Sequence, residues 1–296
     1  MKPIGFQPLL VPFIGLASAS LLAAGCYESA ERENHDGSTP DLYVSDHPEE
    51  PVIAVCGNAI VEGSEECDDG NIDECDGCSS LCRWERAMQA DSAPGARTAG
   101  PVPCQLCPFT IELWFRVDRA GEGLFSLYAT PGYLSFGVST EYYEMERGGS
   151  GGGGAFIPPL EPGSWHHLAS VCSWSGTSWD NLTYLDGEQL GGGHGWSEIP
   201  QWTCDGPLTV ASAFEAMYMP YPFIPGAVDD LRISSEGLYT PDEPFVPEQH
   251  LSVRPDTVAL WQFNSDEGGI IRDLSGNGYD LVLVNGKLVA DACHGR

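Results

Sequence analysis

The stretch whose reading decides the fold is GAVDDLRISSEGLYTPDEPFVPEQHLSVRPDTVALWQFNSDEGGIIRDLSGNGYDL, Gly226 to Leu281. Successive side chains of a strand point to opposite faces. Period two therefore predicts a strand with Ala227, Asp229, Leu231 and Ile233 on one face and Val228, Asp230 and Arg232 on the other. After a Pro-rich crossover, Thr257, Ala259, Trp261 and Phe263 alternate with Val258, Leu260 and Gln262 to give a second strand, and DLSGNGYDL supplies a Gly/Asn turn into a third. Strand and turn alternating on both sides point to a sandwich core. A carboxylate on a core face, here Asp229, must be paired, hydrogen-bonded or metal-bound.

Upstream, FTIELWFRV alternates in the same way. Phe109, Ile111, Leu113, Phe115 and Val117 point inward, and Thr110, Glu112, Trp114 and Arg116 outward. GLFSLY, YLSFGV, WHHLASVCS, TYLDGEQLGG and PLTVAS read as further short strands, with Asp186-Gly187 supplying the positive φ angles of a tight hairpin. Frequent short strands separated by Gly and Pro imply an all-β antiparallel sandwich. His166 and His167 are adjacent on a strand, point to opposite faces and read as structural.

These motifs resemble the laminin G-like (concanavalin A-like) jelly rolls. Val228 to Ser234 resembles the family's D-E-V-R-I strand, with Asp230 where Glu is usual. Tyr239-Thr240 and Phe245-Val246-Pro247 match its crossover, Thr257 to Phe263 and Glu267-Gly268 its next strand, and Asp273 with Ser275 to Gly278 its turn. The resemblance covers Pro108 to Gly286. It implies a concanavalin A-like fold over 108–296, and a structural calcium held by Asp229 with Asp273 or Asn277.

The chain has 296 residues, enough for one large β domain and a small module. Lys and Arg total 13 against 43 Asp and Glu, a formal charge of −30 that repels nucleic acid and anionic lipid headgroups. Eleven cysteines in a Gly- and Pro-rich chain point to an oxidising compartment. Residues 1–25 read as a secretory signal peptide. Leu22-Ala-Ala-Gly-Cys26 resembles the bacterial lipobox, in which Cys26 is lipidated and becomes the new N-terminus. Spending one cysteine on lipid leaves ten that can pair: Cys56, Cys67, Cys75, Cys78, Cys82, Cys104, Cys107, Cys172, Cys204 and Cys293. Residues 26–55, polar and acidic, read as a disordered tether. The expected address is the outer membrane or cell surface, with contact to the membrane through the lipid alone, and the protein is expected to be a monomer.

Cys56, Cys67, Cys78 and Cys82 are spaced C-x10-C-x10-C-x3-C, with Cys75 as an extra, in a segment too short to build a core without cross-links. The segment 56–83 resembles the cysteine-rich repeat of myxobacterial surface proteins. Its acidic loop (Asp68, Asp69, Asn71, Asp73, Asp76) departs from an EF-hand at Glu74 and Ser80, where Gly and Glu are required, and reads as turn formers or as a second calcium candidate. Residues 84–107, rich in Ala, Gly and Pro, read as a linker.

No alternating carboxylate run or H-E-x-x-H occurs, and the G-x-S-x-G spelled by Gly148 to Gly152 falls in GGSGGGG, which reads as a flexible surface loop, so the protein is expected not to be an enzyme. The leading expectation is extracellular recognition or adhesion of a glycan or protein. Trp174, Trp179, Trp196 and Trp202 are the candidate ligand contacts, with calcium the candidate cofactor. The alternatives are a structural envelope protein without a dedicated ligand, or a polysaccharide hydrolase.

Overall fold

A computed structural model describes residues 54–73, 76–103, 108–120, 125–129, 134–147, 153–174, 176, 178–196, 206–212, 214–215, 220–221, 223–264 and 266–290. Cys26, Cys75, Cys104, Cys107, Trp202, Cys204 and Cys293, with the signal peptide and the tether as far as residue 53, lie outside them.

Residues 54–86 form a module in which the described residues make no extended strand, with a bridge from Cys78 to Trp84. Two nested disulfides hold it, Cys56–Cys82 enclosing Cys67–Cys78. Their sequence separations of 26 and 11 correspond to about 3 kcal/mol each by the loop-entropy estimate. Covalent staples are needed because little apolar area is buried: Ile60, Val61, Ile72 and Leu81 all face solvent. Asp68 sets the turn. Its Oδ1 accepts from the amides of Ala59 and Gly70 (both 2.9 Å), and its Oδ2 from Gly57 (3.0 Å) and Asn58 (3.1 Å).

The rest is all β, with no helix among the described residues. In chain order the strands are β1 (Ala87–Ala90), β2 (Ala96–Pro101), β3 (Phe109–Val117), β4 (Phe125–Ala129), β5 (Leu134–Val138), β6 (Tyr142–Arg147), β7 (Gly153–Phe156), β8 (Trp165–Trp174) and β9 (Trp179–Leu185). Then come β10 (Glu188–Trp196), β11 (Pro207–Ser212), β12 (Phe214–Glu215), β13 (Pro220–Tyr221), β14 (Gly226–Ser234), β15 (Thr257–Trp261), β16 (Ile270–Ile271), β17 (Leu281–Leu283) and β18 (Gly286–Val289). The first sheet runs β10-β9-β8-β3-β14-β1-β18, with β15 also on β14, and the second runs β16-β17-β2-β11-β4-β5-β6-β7. Between them lies one apolar core, to which β3 contributes Phe109, Ile111, Leu113, Phe115 and Val117, as its alternation predicts.

Two expectations change here. Residues 84–107 are not simply a linker, because they carry β1 and β2, one in each sheet. Their small side chains reflect crowding: a Cβ on Gly95 would stand 3.0 Å from Ala211 and 3.1 Å from both Ala90 and Met88, and one on Gly286 would meet Gly95 O at 2.9 Å.

The face assignment of β14 also changes. Asp229 is opposite Trp114, but Arg232 is opposite Glu112, so one extra residue is inserted between them. Asp230, with φ of 45°, sits in this bulge. The insertion reverses the alternation, so Val228, Leu231 and Ile233 enter the core while Asp229 and Arg232 share the opposite face. Strict period two would instead put Asp229 on the face of Leu231 and Ile233.

That opposite face is not open to solvent. The crossover 235–256 lies over it, so Thr110, Glu112 and Trp114, read as outward, are buried. Tyr239 and Phe245 stack at 3.6 Å, and both pack on Ala169, Val171, Leu182 and Tyr184. Trp114 Nε1 donates to Glu248 O (3.0 Å) and Tyr184 OH to Thr240 O (2.8 Å). At the β9–β10 hairpin, Asp186 and Gly187 have φ of 52° and 83°, as the turn requires. The crossover passes so close that a Cβ on Gly187 would stand 1.8 Å from Phe245 O.

Candidate functional site

Three places bring chemistry-bearing residues together. The first is a tryptophan row. Trp174 on β8 is opposite Trp179 on β9, which is opposite Trp196 on β10. Residues directly opposite on antiparallel strands are nearest neighbours on one face, with Cβ atoms about 4.5–5.5 Å apart. The row depends on a register shift between His194 and Trp196, where Gly195 is the extra residue. Without that insertion Trp179 would face Gly195. Trp174 continues the core-facing side of β8 beyond Cys172, which is buried and disulfide-bonded, and is 48% exposed. Three of the four expected ligand contacts thus hold directly opposed register positions on three neighbouring strands.

The second is the polar layer beneath the crossover. Arg232 gives two hydrogen bonds to Glu112 Oε1, from Nε at 2.9 Å and Nη2 at 2.7 Å, and a third from Nη1 to Ser252 O at 2.7 Å. Tyr239 OH donates to Glu112 Oε2 at 2.6 Å, and His167 Nε2 stands 3.3 Å from the same oxygen. Burial pushes the Glu112 carboxyl up, yet His167, Arg232 and Tyr239 outweigh it and hold the group below the usual carboxylate range. Burial and the Glu112 charge push the Tyr239 phenol up. Every one of these side chains is on β3, β8, β14 or the crossover, so the layer fastens the crossover to the sheet.

Beside it lie Asp229, Asp230 and His250, each offering one ligand atom within 4.8 Å of the others. Asp229 Oδ1 accepts from the Asp230 amide (2.8 Å), and Asp230 Oδ2 accepts from the Leu251 amide (2.8 Å) and stands 3.4 Å from His250 Nδ1. Burial, then the charge of Asp230, raises the Asp229 carboxyl well above its ordinary range. Burial also raises Asp230, against the opposing pull of His250. The calcium partners expected for Asp229 are engaged elsewhere. Asp273 Oδ1 accepts from the Leu260 and Ser275 amides, its Oδ2 accepts from Ser275 Oγ and the Tyr279 amide, and Asn277 Nδ2 donates to Val258 O. Both organise the turn into β17. A second acidic grouping, Glu65 and Asp68 with Cys82, has lost its thiolate to the Cys56 disulfide and offers no sulfur ligand.

The third is a cleft of about 340 Å³ where the cysteine-rich module meets the sandwich. Glu66 and Arg83 line it from the module, and Gln262, Phe263, Asn264 and Arg272 from the sandwich. Arg83 pairs with Glu66, and Arg272 with Glu267 and with Asp280 at 2.6 Å. The Arg86 amide donates to Asn264 Oδ1 at 3.2 Å, which ties the two parts together.

Sequence reasoning selected the tryptophans and Asp229 by residue type. It missed Glu112, His167, Arg232, Tyr239 and His250 as a group, because nothing in the local pattern says that a Pro-rich crossover covers a sheet face. A signal was present in retrospect: Trp114 is a large apolar side chain on the face read as outward, which calls for a covering segment.

Comparison with known proteins agrees with this architecture. The profile described as the concanavalin A-like lectin/glucanases superfamily, of laminin G type, matches residues 95–243, and a domain of unknown function, DUF4215, matches residues 53–83. No curated protein sequence matches the chain. Among solved structures, a provisionally assigned carbohydrate-binding protein from Bacteroides ovatus superposes with a TM-score of 0.52 at 15% identity, over 72% of this chain and 61% of that one. The chain therefore spans about three-fifths of that protein's length. A heptameric SAP-like pentraxin from Limulus polyphemus gives a TM-score of 0.41 at 17% identity, over 52% of this chain and 78% of that one. The LG4-5 domains of the mouse laminin alpha1 chain give 0.38 at 14% identity, over 55% of this chain and 45% of that one.

Proposed function

The chain belongs to the concanavalin A-like lectin/glucanases superfamily, and from that premise we propose that it is a non-catalytic recognition protein that binds glycan through the tryptophan row at the rim of its first sheet. The observation that carries this reading is the alignment of Trp174, Trp179 and Trp196 across three strands, with Trp174 exposed. Aromatic rings offer large apolar faces at small conformational cost, and sugar rings have flat C–H faces that suit them. A row of three strands spans about 10 Å from end to end at the usual strand spacing, enough for two sugar rings.

The carboxylates support binding over hydrolysis. A glycosidase needs two carboxyl groups about 5–10 Å apart facing one open cleft. Asp229 and Asp230 are closed beneath the crossover, and Glu267 and Asp280 are taken up by Arg272. In this reading the protein is displayed at the cell surface by lipid on Cys26, with residues 27–55 as spacer. The Leu22 to Cys26 motif and the cysteine content support that address.

The test is binding of the full chain, produced under oxidising conditions, to a glycan array, followed by titration of the best glycan against wild type and Trp174→Ala. Saturable binding weakened about tenfold by the substitution, equivalent to about 1.4 kcal/mol, is expected. Absence of binding to any glycan, or binding indifferent to Trp174→Ala, refutes the assignment to this row.

A further inference from the structure

We propose that Asp229, Asp230 and His250 form a binding site for a divalent transition-metal ion of the zinc type, set into the gap in the first sheet where β14 changes partner. On the side of β14 away from β3, β1 pairs with Gly226 to Val228 and β15 with Leu231 to Ser234. Asp229 and Asp230 fall between the two registers, where β14 passes from one neighbour to the next. Both carboxylates are almost fully buried, and His250, from the crossover, closes the opening at 42% exposure.

The neighbouring cation does not neutralise the pair by contact. Arg232 spends its donors on Glu112, Ser252 and Glu248. Asp230 Oδ1 is buried and has no hydrogen-bond partner. An orphaned carboxylate oxygen deep in a protein is costly unless a cation or proton meets it. It belongs to the residue whose other oxygen stands 3.4 Å from His250 Nδ1. Donors bound to one zinc at about 2.0–2.2 Å stand about 3.3–3.6 Å apart in tetrahedral geometry, so this separation already suits a shared ion.

The donor set selects the ion class. Calcium takes six to eight oxygens, and two of the four carboxylate oxygens here already accept backbone amides. Two carboxylates with one imidazole are a mixed oxygen and nitrogen set that suits zinc or a similar first-row ion. Three protein ligands leave further positions for water. Because His250 lies on the crossover and the two aspartates on β14, the ion would clamp one to the other.

The experiment uses the chelator-stripped full chain, titrated calorimetrically with zinc chloride and separately with calcium chloride, with melting curves in parallel. Expected are one saturable zinc step near 1:1, a higher Tm with zinc, and at least tenfold weaker zinc binding in His250→Ala and in Asp230→Asn. Asp230→Asn removes a buried charge, so without metal it should melt no lower than wild type. That result keeps the test readable as a folded protein. Lack of any zinc step in wild type overturns the proposal. So does zinc binding of unchanged strength in both variants, which would place the ion on other histidines. A calcium response stronger than the zinc response, and intact in His250→Ala, overturns it as well.

Discussion

Replacing Arg232 by Met keeps most of the side-chain volume and removes the charge. Both Arg232 and Glu112 are fully buried, and the guanidinium provides two of the hydrogen bonds that Glu112 receives as well as the one that Ser252 O accepts. The substitution therefore strands a carboxylate with Tyr239 and His167 as its remaining partners. Breaking a buried pair by removing one partner costs about 3–5 kcal/mol. For a domain of this size, at about 2–4 °C per kcal/mol, Tm should fall by about 6–20 °C. Replacing both partners, as Glu112→Leu with Arg232→Met, removes the stranded charge. The double variant should recover part of the loss, the remainder coming from Tyr239 OH and Ser252 O, which lose their partners. Urea denaturation of the full chain followed by tryptophan fluorescence, for wild type, both single variants and the double, closes the cycle. A loss below about 1 kcal/mol in Arg232→Met would match an exposed ion pair and would refute the claim that the crossover seals this layer.

Acid should act on the same carboxylate. The Glu112 pKa is lower in the folded chain than its ordinary value of 4.5, so its contribution is complete above that value and fades as pH falls through the folded-state pKa. Glu112→Gln should be less stable than wild type at pH 7, with the gap narrowing below pH 4.5; a gap constant from pH 7 to pH 3 would contradict this. Gly187→Ala should displace the crossover, because its Cβ would overlap Phe245 O and its φ is 83°. A loss of at least about 1 kcal/mol is expected from the backbone alone, together with faster amide exchange at Phe245, whose N–H donates to Gly187 O. Unchanged exchange there would contradict the close approach.

The sandwich was legible because its signals are local. β3 alternates over nine residues, and Asp186-Gly187 can hardly be anything but a tight turn. What escaped were single inserted residues. The bulges at Asp230 and at Gly195 leave no mark in composition, yet each moves every side chain beyond it to the other face. The first hid the partnership of Asp229 with the crossover, and the second hid the alignment of Trp196 with Trp179. The strands of 84–107 escaped for a different reason, since Ala and Gly mean a linker in isolation and close packing beside Met88 and Gly286. The residues of the candidate sites could be picked by type. Their grouping was set by long-range register that one sequence does not display.

The nested disulfides have a mechanical consequence. Cys82 is followed within a few residues by β1, which is paired on both sides, to β14 and to β18. A pull applied from the N-terminal side of the module would cross the Cys56–Cys82 bond directly and reach β1. The 26 residues of sequence separation, about 90 Å of chain if fully extended, stay locked behind the bond. Tension would then load the hydrogen bonds of β1 to both of its neighbours, β14 and β18. Under oxidising conditions the module behaves as a short, inextensible coupling. Under reducing conditions the same stretch becomes slack.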